Sequence, residues 1–291
     1  NARVSRVIRS ASNASHIESV EYLQGGARKT IRAERIIIAA FTVQSVRILL
    51  SSATSRHNAP GNHSDKLGRY LMTHPAATVF GLFNTETYPH LGVSAGQLLS
   101  HDEYDDKAAA GGFGSSQWMI GHAIKPHDLL GYGTGRPDIS GPELEPWLKR
   151  AARHLGNMTL VCEDIALPEN RITLSDKADG DGIPYAHTHH DLAPNAAARW
   201  TQRMAEGEEI MRSAGAQEVW AGPRIGMHIM GGAVMGDDPG QSVTDHNGRV
   251  HETDNLFVAG PALFPSSGAV NPTFTLSAVA SHQAEHLLAT S

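Results

Sequence analysis

The run Arg35-Ile36-Ile37-Ile38-Ala39-Ala40 constrains the fold more than any other stretch of this chain. It is continuous, β-branched and free of polar alternation, so a strand built from it has to be covered on both faces. Directly after it, Thr42 is placed to cap a helix on which Val43, Val46, Leu49 and Leu50 form one apolar stripe. A doubly covered strand feeding a helix is the unit of α/β architecture. Ahead of this unit, Ala2–Ile8 and Ile17–Leu23 alternate polar and apolar residues. The turn Gln24-Gly25-Gly26-Ala27 leads on to Arg28–Ala33, which predicts a meander.

From Pro60 to about Pro146 the pattern loosens, with glycines at 92, 96, 111, 112, 114, 121, 131, 133 and 135. That spacing predicts a loop-rich region, either lining a site or forming a surface insertion. Strands are expected again at Met158–Cys162, Arg171–Leu174 and Tyr185–His190, the last two joined by Asp179-Gly180-Asp181-Gly182. A helix is expected over Asn195–Ala214, with Trp200, Met204 and Ile210/Met211 on one side and Gly215 ending it. With a net charge of −6 and no basic stripe, nucleic acid is not an expected partner. No apolar run approaches the roughly 20 residues of a membrane-spanning helix. The single cysteine, Cys162, excludes an internal disulfide and sits in an apolar strand as inert core rather than as a nucleophile.

The last 65 or so residues carry the chemistry. His228 is followed by Gly231, Gly232 and Gly236, where missing Cβ atoms would let a large flat group approach the backbone. Asn271 is a natural N-cap for a final helix and Pro272 suits its first position. The free N–H groups of such a helix start stabilise negative charge on a ligand. Residue types alone favour an ordinary hydrogen-bonded core or loop histidine at His228 and a structural helix start at Asn271.

The order of elements outweighs that reading through a resemblance. His228…Gly231-Gly232…Met235-Gly236, Ser242-Val243-Thr244-Asp245, Arg249-Val250, Asn255-Leu256-Phe257-Val258, Phe264-Pro265 and Asn271-Pro272-Thr273-Phe274-Thr275 follow one another as in the C-terminal signature of the glucose–methanol–choline (GMC) oxidoreductases. Earlier segments are similar to the same family: Asn1–Val4 through Ala33–Ala40, Leu67-Gly68-Arg69-Tyr70-Leu71-Met72-Thr73-His74-Pro75, and Glu163…Pro168-Glu169-Asn170-Arg171-Ile172-Thr173-Leu174. The resemblance implies a mixed α/β fold: part of a doubly wound FAD-binding domain, plus a substrate domain with an antiparallel sheet and helices. Residues 1–60 would return to the FAD domain and 61–220 would form mainly the substrate domain. Residues 221–291 would bring the catalytic histidine and the closing FAD-domain strand and helix.

Carried onto this chain, the family's roles make His228 the general base and Asn271 the holder of the substrate oxygen. Gly260, Pro261, Asn271, Pro272, Thr273 and Thr275 would lie against FAD. The implied reaction is oxidation of a CH–OH group of an alcohol, sugar or polyol by hydride transfer to the flavin. A hydroxynitrile lyase on the same scaffold and a non-catalytic half are the alternatives.

The chain departs from the family at several points. It contains no Gly-x-Gly-x-x-Gly, and Gly111-Gly112-Phe113-Gly114 lacks that spacing. Either the gene product is cut into two chains, or the chain is a fragment, or FAD is no longer bound; a partner polypeptide carrying the N-terminal FAD-binding half is the favoured expectation, with an electron-acceptor protein as a further candidate partner. Phe41 replaces a glycine, Gly260 replaces an aspartate, and Gly232 replaces a threonine as in sterol oxidases and bacterial sugar dehydrogenases. His187-Thr188-His189-His190 lacks the neighbouring Cys or carboxylate trio that would complete a metal shell, so no metal site is expected. In the resemblance His74 is a packing or FAD-domain position rather than a catalytic one, and Asp179 and Asp181 are expected to be turn residues.

Overall fold

The computed structural model describes residues 1–55, 58–94, 96–104, 114–133 and 135–290. Gly111, Gly112 and Phe113 of the glycine-rich stretch lie outside the described residues. Strands β1 (Arg3–Arg9), β2 (Ile17–Gln24) and β3 (Ala27–Arg32) form the antiparallel meander that the alternation predicts. On β2 the pattern is strict, with Ile17, Ser19, Glu21 and Leu23 facing inward. Strand β4 (Ile36–Ile38) pairs in parallel with β13 (Leu256–Val258), from near the other end of the chain. Helix α1 (Phe41–Leu50) packs its Val46 and Leu49 against this pair. One core therefore joins the two sequence ends: Ile36, Ile38, Val46, Leu49, Leu256 and Val258 all belong to it.

The second body of the fold is a six-stranded antiparallel sheet. Its order runs from β11 (Glu218–Ala221) through β5 (Met72–Leu82), β8 (Leu155–Cys162) and β7 (Ser116–Ile120) to β6 (Leu98–Ser100). Strand β12 (Ile225–Met230) pairs with the first half of β5 and β11 with the second half. Helix α4 (Pro194–Ser213) covers one cluster of this sheet with Met204 and Met211 against Trp118, Met158 and Leu160. Helices α2 (Pro126–Gly133) and α3 (Leu144–His154) bring Leu129, Trp147 and Ala151 against Phe80, Leu82 and Leu155. A hairpin of β9 (Arg171–Ala178) and β10 (Pro184–His189) and the final helix α5 (Thr273–Ala289) complete the elements used below. Among the described residues, no helix is long and apolar enough to cross a membrane.

Three sequence expectations are corrected. The region expected to be loop-rich holds β5, an inner strand of the large sheet, as well as β6, β7 and α2. Most of β5 is buried on both faces, so it shows no alternation, and its Pro75 and Gly81 read as breakers. Pro75 is tolerated near the start of the strand, one residue ahead of Ala76, where pairing with β8 begins. Thr42 does not cap α1. The helix starts at Phe41, and the buried Thr42 hydroxyl donates to the Ile229 carbonyl at 2.7 Å. The third correction concerns Asn271. Pro272 occupies the cap position of α5, and no side chain caps that turn among the described residues.

Gly68, at φ +88°, sits where three segments meet. Its N–H donates to the Gly232 carbonyl at 2.6 Å and its own carbonyl accepts from Ile172 N–H at 2.8 Å. A Cβ at this position would overlap the Ile172 carbonyl. Gly68→Ala is expected to cost at least about 3 kcal/mol, combining left-handed strain with a backbone collision. Thermal unfolding followed by circular dichroism measures it; an unchanged Tm would contradict this packing.

Candidate active site

His228 stands on β12 at an irregularity of the ladder. Met227 pairs with His74 and Met230 with Met72, so two residues, His228 and Ile229, oppose only Thr73 on β5. The His228 backbone lies at φ +51°, in the left-handed region that non-glycine residues rarely occupy. Bulges of this kind re-aim a side chain. Here the bulge turns the imidazole toward β5, where its Nδ1 meets Nδ1 of His74 at 3.0 Å with the rings edge to face.

His74 is fully buried, and its Nε2 lies 3.1 Å from the Ser267 carbonyl oxygen. Burial pushes its pKa below the usual 6.5; the proximity of His228 adds to that effect, against opposing pulls from the Ser267 carbonyl and Asp164. His228, only partly buried, is also lowered by burial. Both rings are therefore neutral near pH 7. Behind them, the Asp164 carboxylate accepts from Thr73 N–H at 3.0 Å and contacts His190 Nε2 at 2.6 Å. The Asp164 N–H donates to the Ser267 hydroxyl at 2.8 Å, so the loop that supports His74 is itself anchored.

That loop runs on to Asn271. The Asn271 side chain is exposed, and its Oδ1 accepts from Gln117 Nε2 at 3.4 Å; the buried Gln117 in turn contacts His101 Nε2 at 3.0 Å. His228 is thus linked through His74 to Ser267, at the start of the loop that ends at Asn271. Thr273, Phe274 and Thr275 open α5 and are exposed, Phe274 at 88%. Gly260 lies at φ +111° just before the short turn Pro261–Leu263, with no atom within 4 Å of where a Cβ would stand.

The glycines after His228 do not play the part expected of them. Tyr70 and its carbonyl fill the Cβ space of Gly231, the Val46 side chain fills that of Gly232, and Ser242 crowds Gly236. They allow protein to approach protein: Gly231 N–H donates to the Pro261 carbonyl at 3.0 Å, and Ala233 N–H to the Ala262 carbonyl at 2.9 Å. Sequence reasoning also missed the groups assembled around His228: the His74 ring that contacts it, the Ser267 carbonyl that His74 meets, and Asp164 behind them. Nothing in the spacing of these residues points to one another. His187 and His189 are exposed on β10, while His190 engages Asp164. Cys162 is buried and its thiol is pushed up to about 12 by burial, so it carries no nucleophilic role.

Residues 166–280 match the family model described as GMC oxidoreductase. The chain is 27% identical over 292 aligned residues to 2-methyl-1,2-propanediol dehydrogenase of Mycolicibacterium austroafricanum, covering 95% of this chain and 51% of that protein. It is 28% identical to the fructose dehydrogenase large subunit of Gluconobacter japonicus, over 88% of this chain and 47% of the relative. Among solved structures, formate oxidase of Aspergillus oryzae superimposes with a TM-score of 0.69 at 15% identity, over 99% of this chain and 60% of the oxidase. The chain thus spans about half the length of the curated relatives it matches.

The depressed pKa of His74 makes a prediction about stability. A histidine whose folded value lies below its unfolded value stabilises the fold fully above the unfolded value of 6.5. That contribution is lost as the pH falls from 6.5 through the lowered folded value. Unfolding midpoints measured from pH 8 to pH 5 should fall on the acid side, and His74→Phe should flatten that slope. An equal slope in both proteins would contradict the buried neutral assignment.

Proposed function

We propose that this chain, which belongs to the GMC oxidoreductase family, provides the proton-handling half of an enzyme that oxidises the CH–OH carbon of an alcohol, sugar or polyol. FAD is the cofactor of this family and, when bound, supplies the hydride acceptor. The residues present fit its ring end. Gly260 leaves open space where a side chain would block a planar group. The first turn of α5, uncapped among the described residues, offers N–H groups at Thr273 to Thr275 for a negative charge. Pro261 and Pro272 border these two features. Gly231, Gly232 and Gly236 are filled by the protein's own atoms and have no place in this set.

The observation that carries the reading is the His228 imidazole. One nitrogen is held by His74, the ring is neutral, and among the described residues its Nε2 makes no hydrogen bond. A neutral imidazole with a free lone pair accepts a hydroxyl proton, catalysis worth typically 10²–10⁴-fold. Asn271, through its amide N–H₂, donates to the substrate oxygen without titrating. The names of the relatives, a propanediol dehydrogenase and a fructose dehydrogenase large subunit, support polyols and sugars as the substrate class.

The N-terminal, nucleotide-binding half of the fold is assigned to the face of β4. Ile37 is 51% exposed there between buried Ile36 and Ile38, beside a cavity of about 660 Å³ lined by Val4, Val7, Val20 and Ala40. A two-stranded parallel pair open on one side is incomplete without such a neighbour.

The test is anaerobic mixing of the assembled flavoprotein with sugars and polyols, following loss of flavin absorbance. Bleaching linked to substrate supports the oxidoreductase; turnover without bleaching favours the lyase. His228→Ala is expected to slow bleaching by 10²–10⁴-fold. In the wild type the rate should be level above pH 6.5 and fall as the pH drops through the lowered pKa of His228. An unaffected variant would leave the chain a non-catalytic half.

A further inference from the structure

The contact between the two histidines has a direction that follows from the third partner in the line. The Ser267 carbonyl oxygen can only accept, so His74 Nε2 has to carry the hydrogen across their 3.1 Å separation. A fully buried imidazole held neutral has one N–H, and His74 spends it there, leaving Nδ1 as a lone pair. His228 Nδ1 lies 3.0 Å from that lone pair. Two lone pairs would repel at this distance, so the hydrogen belongs to His228 Nδ1. Its Nε2 is then the nitrogen without a hydrogen.

We propose that His74 is a positioning residue that fixes His228 in the Nδ1–H tautomer, leaving Nε2 as the proton acceptor. The inference deepens the proposed function and rests on it for its catalytic consequence, though not for the tautomer itself. The arrangement suits both states of the base. When Nε2 takes a proton, both nitrogens of His228 become donors and Nδ1–H continues to donate to His74 without any change of partner. His74 stays neutral, because a second positive charge 3.0 Å away in a sealed position is disfavoured. The groups packed around the pair are His74 and Thr73 from β5, the Ser267 and Gly268 carbonyls from the loop, and Asp164 with His190 behind them. Of these, only His74 touches a ring nitrogen of His228 among the described residues. The left-handed bulge and the anchoring of Ser267 by Asp164 hold the two ends of the line in place.

The tautomer is read by long-range ¹H–¹⁵N correlation on the ¹⁵N-histidine-labelled full chain, in whatever assembly it is isolated, near pH 8. Among the 17 histidines, loss of signals in His74→Phe and His228→Asn assigns the two rings. Wild-type His228 is expected with a protonated Nδ1 and an unprotonated Nε2, and His74 with the reverse. A wild-type His228 carrying its hydrogen on Nε2 overturns the proposal, whether or not any variant folds.

His74→Phe removes the acceptor while keeping a buried ring. It is expected to shift His228 toward the Nε2–H form and to slow substrate-linked bleaching by ~10-fold to 10²-fold or more. His74→Asn places Oδ1 close to the position of Nδ1 and is expected to restore the Nδ1–H form. If both variants fold and His228 keeps its wild-type tautomer in His74→Phe, another group sets it and the proposal fails. An Nδ1–H His228 in a protein that bleaches no flavin overturns the functional reading and leaves this one standing. An Nε2–H His228 in an active oxidoreductase does the opposite.

Discussion

Gly68 offers both edges of its backbone to other segments, its N–H to Gly232 and its carbonyl to Ile172, at 2.6 and 2.8 Å. Close beside it, Gly231 meets the Tyr70 carbonyl and donates to the carbonyl of Pro261. These approaches join the stretch before β5, strand β9, the segment after His228 and the turn after β13. A single hydrogen bond contributes only about 1 kcal/mol net, so the bonds matter less for their sum than for their geometry. Backbone packed on backbone has no rotamers to yield, and a close-packed interior transmits displacement rather than absorbing it. The height of His228 above β5 is therefore set from both sides: by the β5 ladder before it and by the glycine contacts after it.

That same geometry explains which parts of the molecule can be read from residues in order. The meander and α4 are legible because their signal is periodic and local: alternate burial on β2, and an apolar side ending at Gly215 with φ +95°. Strand β4 is legible as a strand through its continuous isoleucines, but the cover expected on both faces is not found, since Ile37 is half exposed. Strand β5 is not, because a strand covered on both faces loses its alternation and its Pro75 and Gly81 imitate breakers. In the candidate site, His228 and Asn271 were visible through the order of motifs and not through spacing. Their supporting groups stayed hidden because His74, Ser267 and Asp164 meet only after the large sheet and the loop after β13 are assembled. The glycines after His228 show the limit most plainly. A missing Cβ says that something approaches closely, but whether a ligand or the Tyr70 carbonyl takes that space is decided by tertiary packing.

Two imidazoles in contact beneath a sealed loop can hold one proton between them at low cost, and not two. Desolvation acts on the buried His74 more severely than on the partly buried His228, so an added proton resides on His228. The aspartate behind them sits too far back to touch either ring nitrogen of His228; its carboxylate is already occupied by Thr73 N–H and His190. A carboxylate in direct contact would raise the pKa of the base and hold its proton more tightly. A neutral acceptor orients the ring and leaves it easily deprotonated again, which suits the base role proposed for His228.

The open side of the molecule follows from the same accounting of burial. Scattered apolar residues at a surface need no explanation, but here they lie on elements that share one core. Ile37 is exposed on β4, Phe41 opens α1 at φ +63° with its ring half exposed, and α5 buries only Gln283 among its 17 residues. Phe41 in the left-handed region costs of order 1–2 kcal/mol, a strain that the strand before it and the helix after it impose. Gln283 ties α5 down through hydrogen bonds to the carbonyls of Val258 and Asn247 at 3.1 and 3.3 Å, beside the partly buried Leu276 and Val279 that pack on the core. A helix with most of its residues at least partly exposed and a parallel strand open on one side are the surfaces to which the proposed neighbouring layer would fit. A further layer over β4 would bury Ile37, complete the parallel sheet and close off the side on which Gly260 and the first turn of α5 lie open.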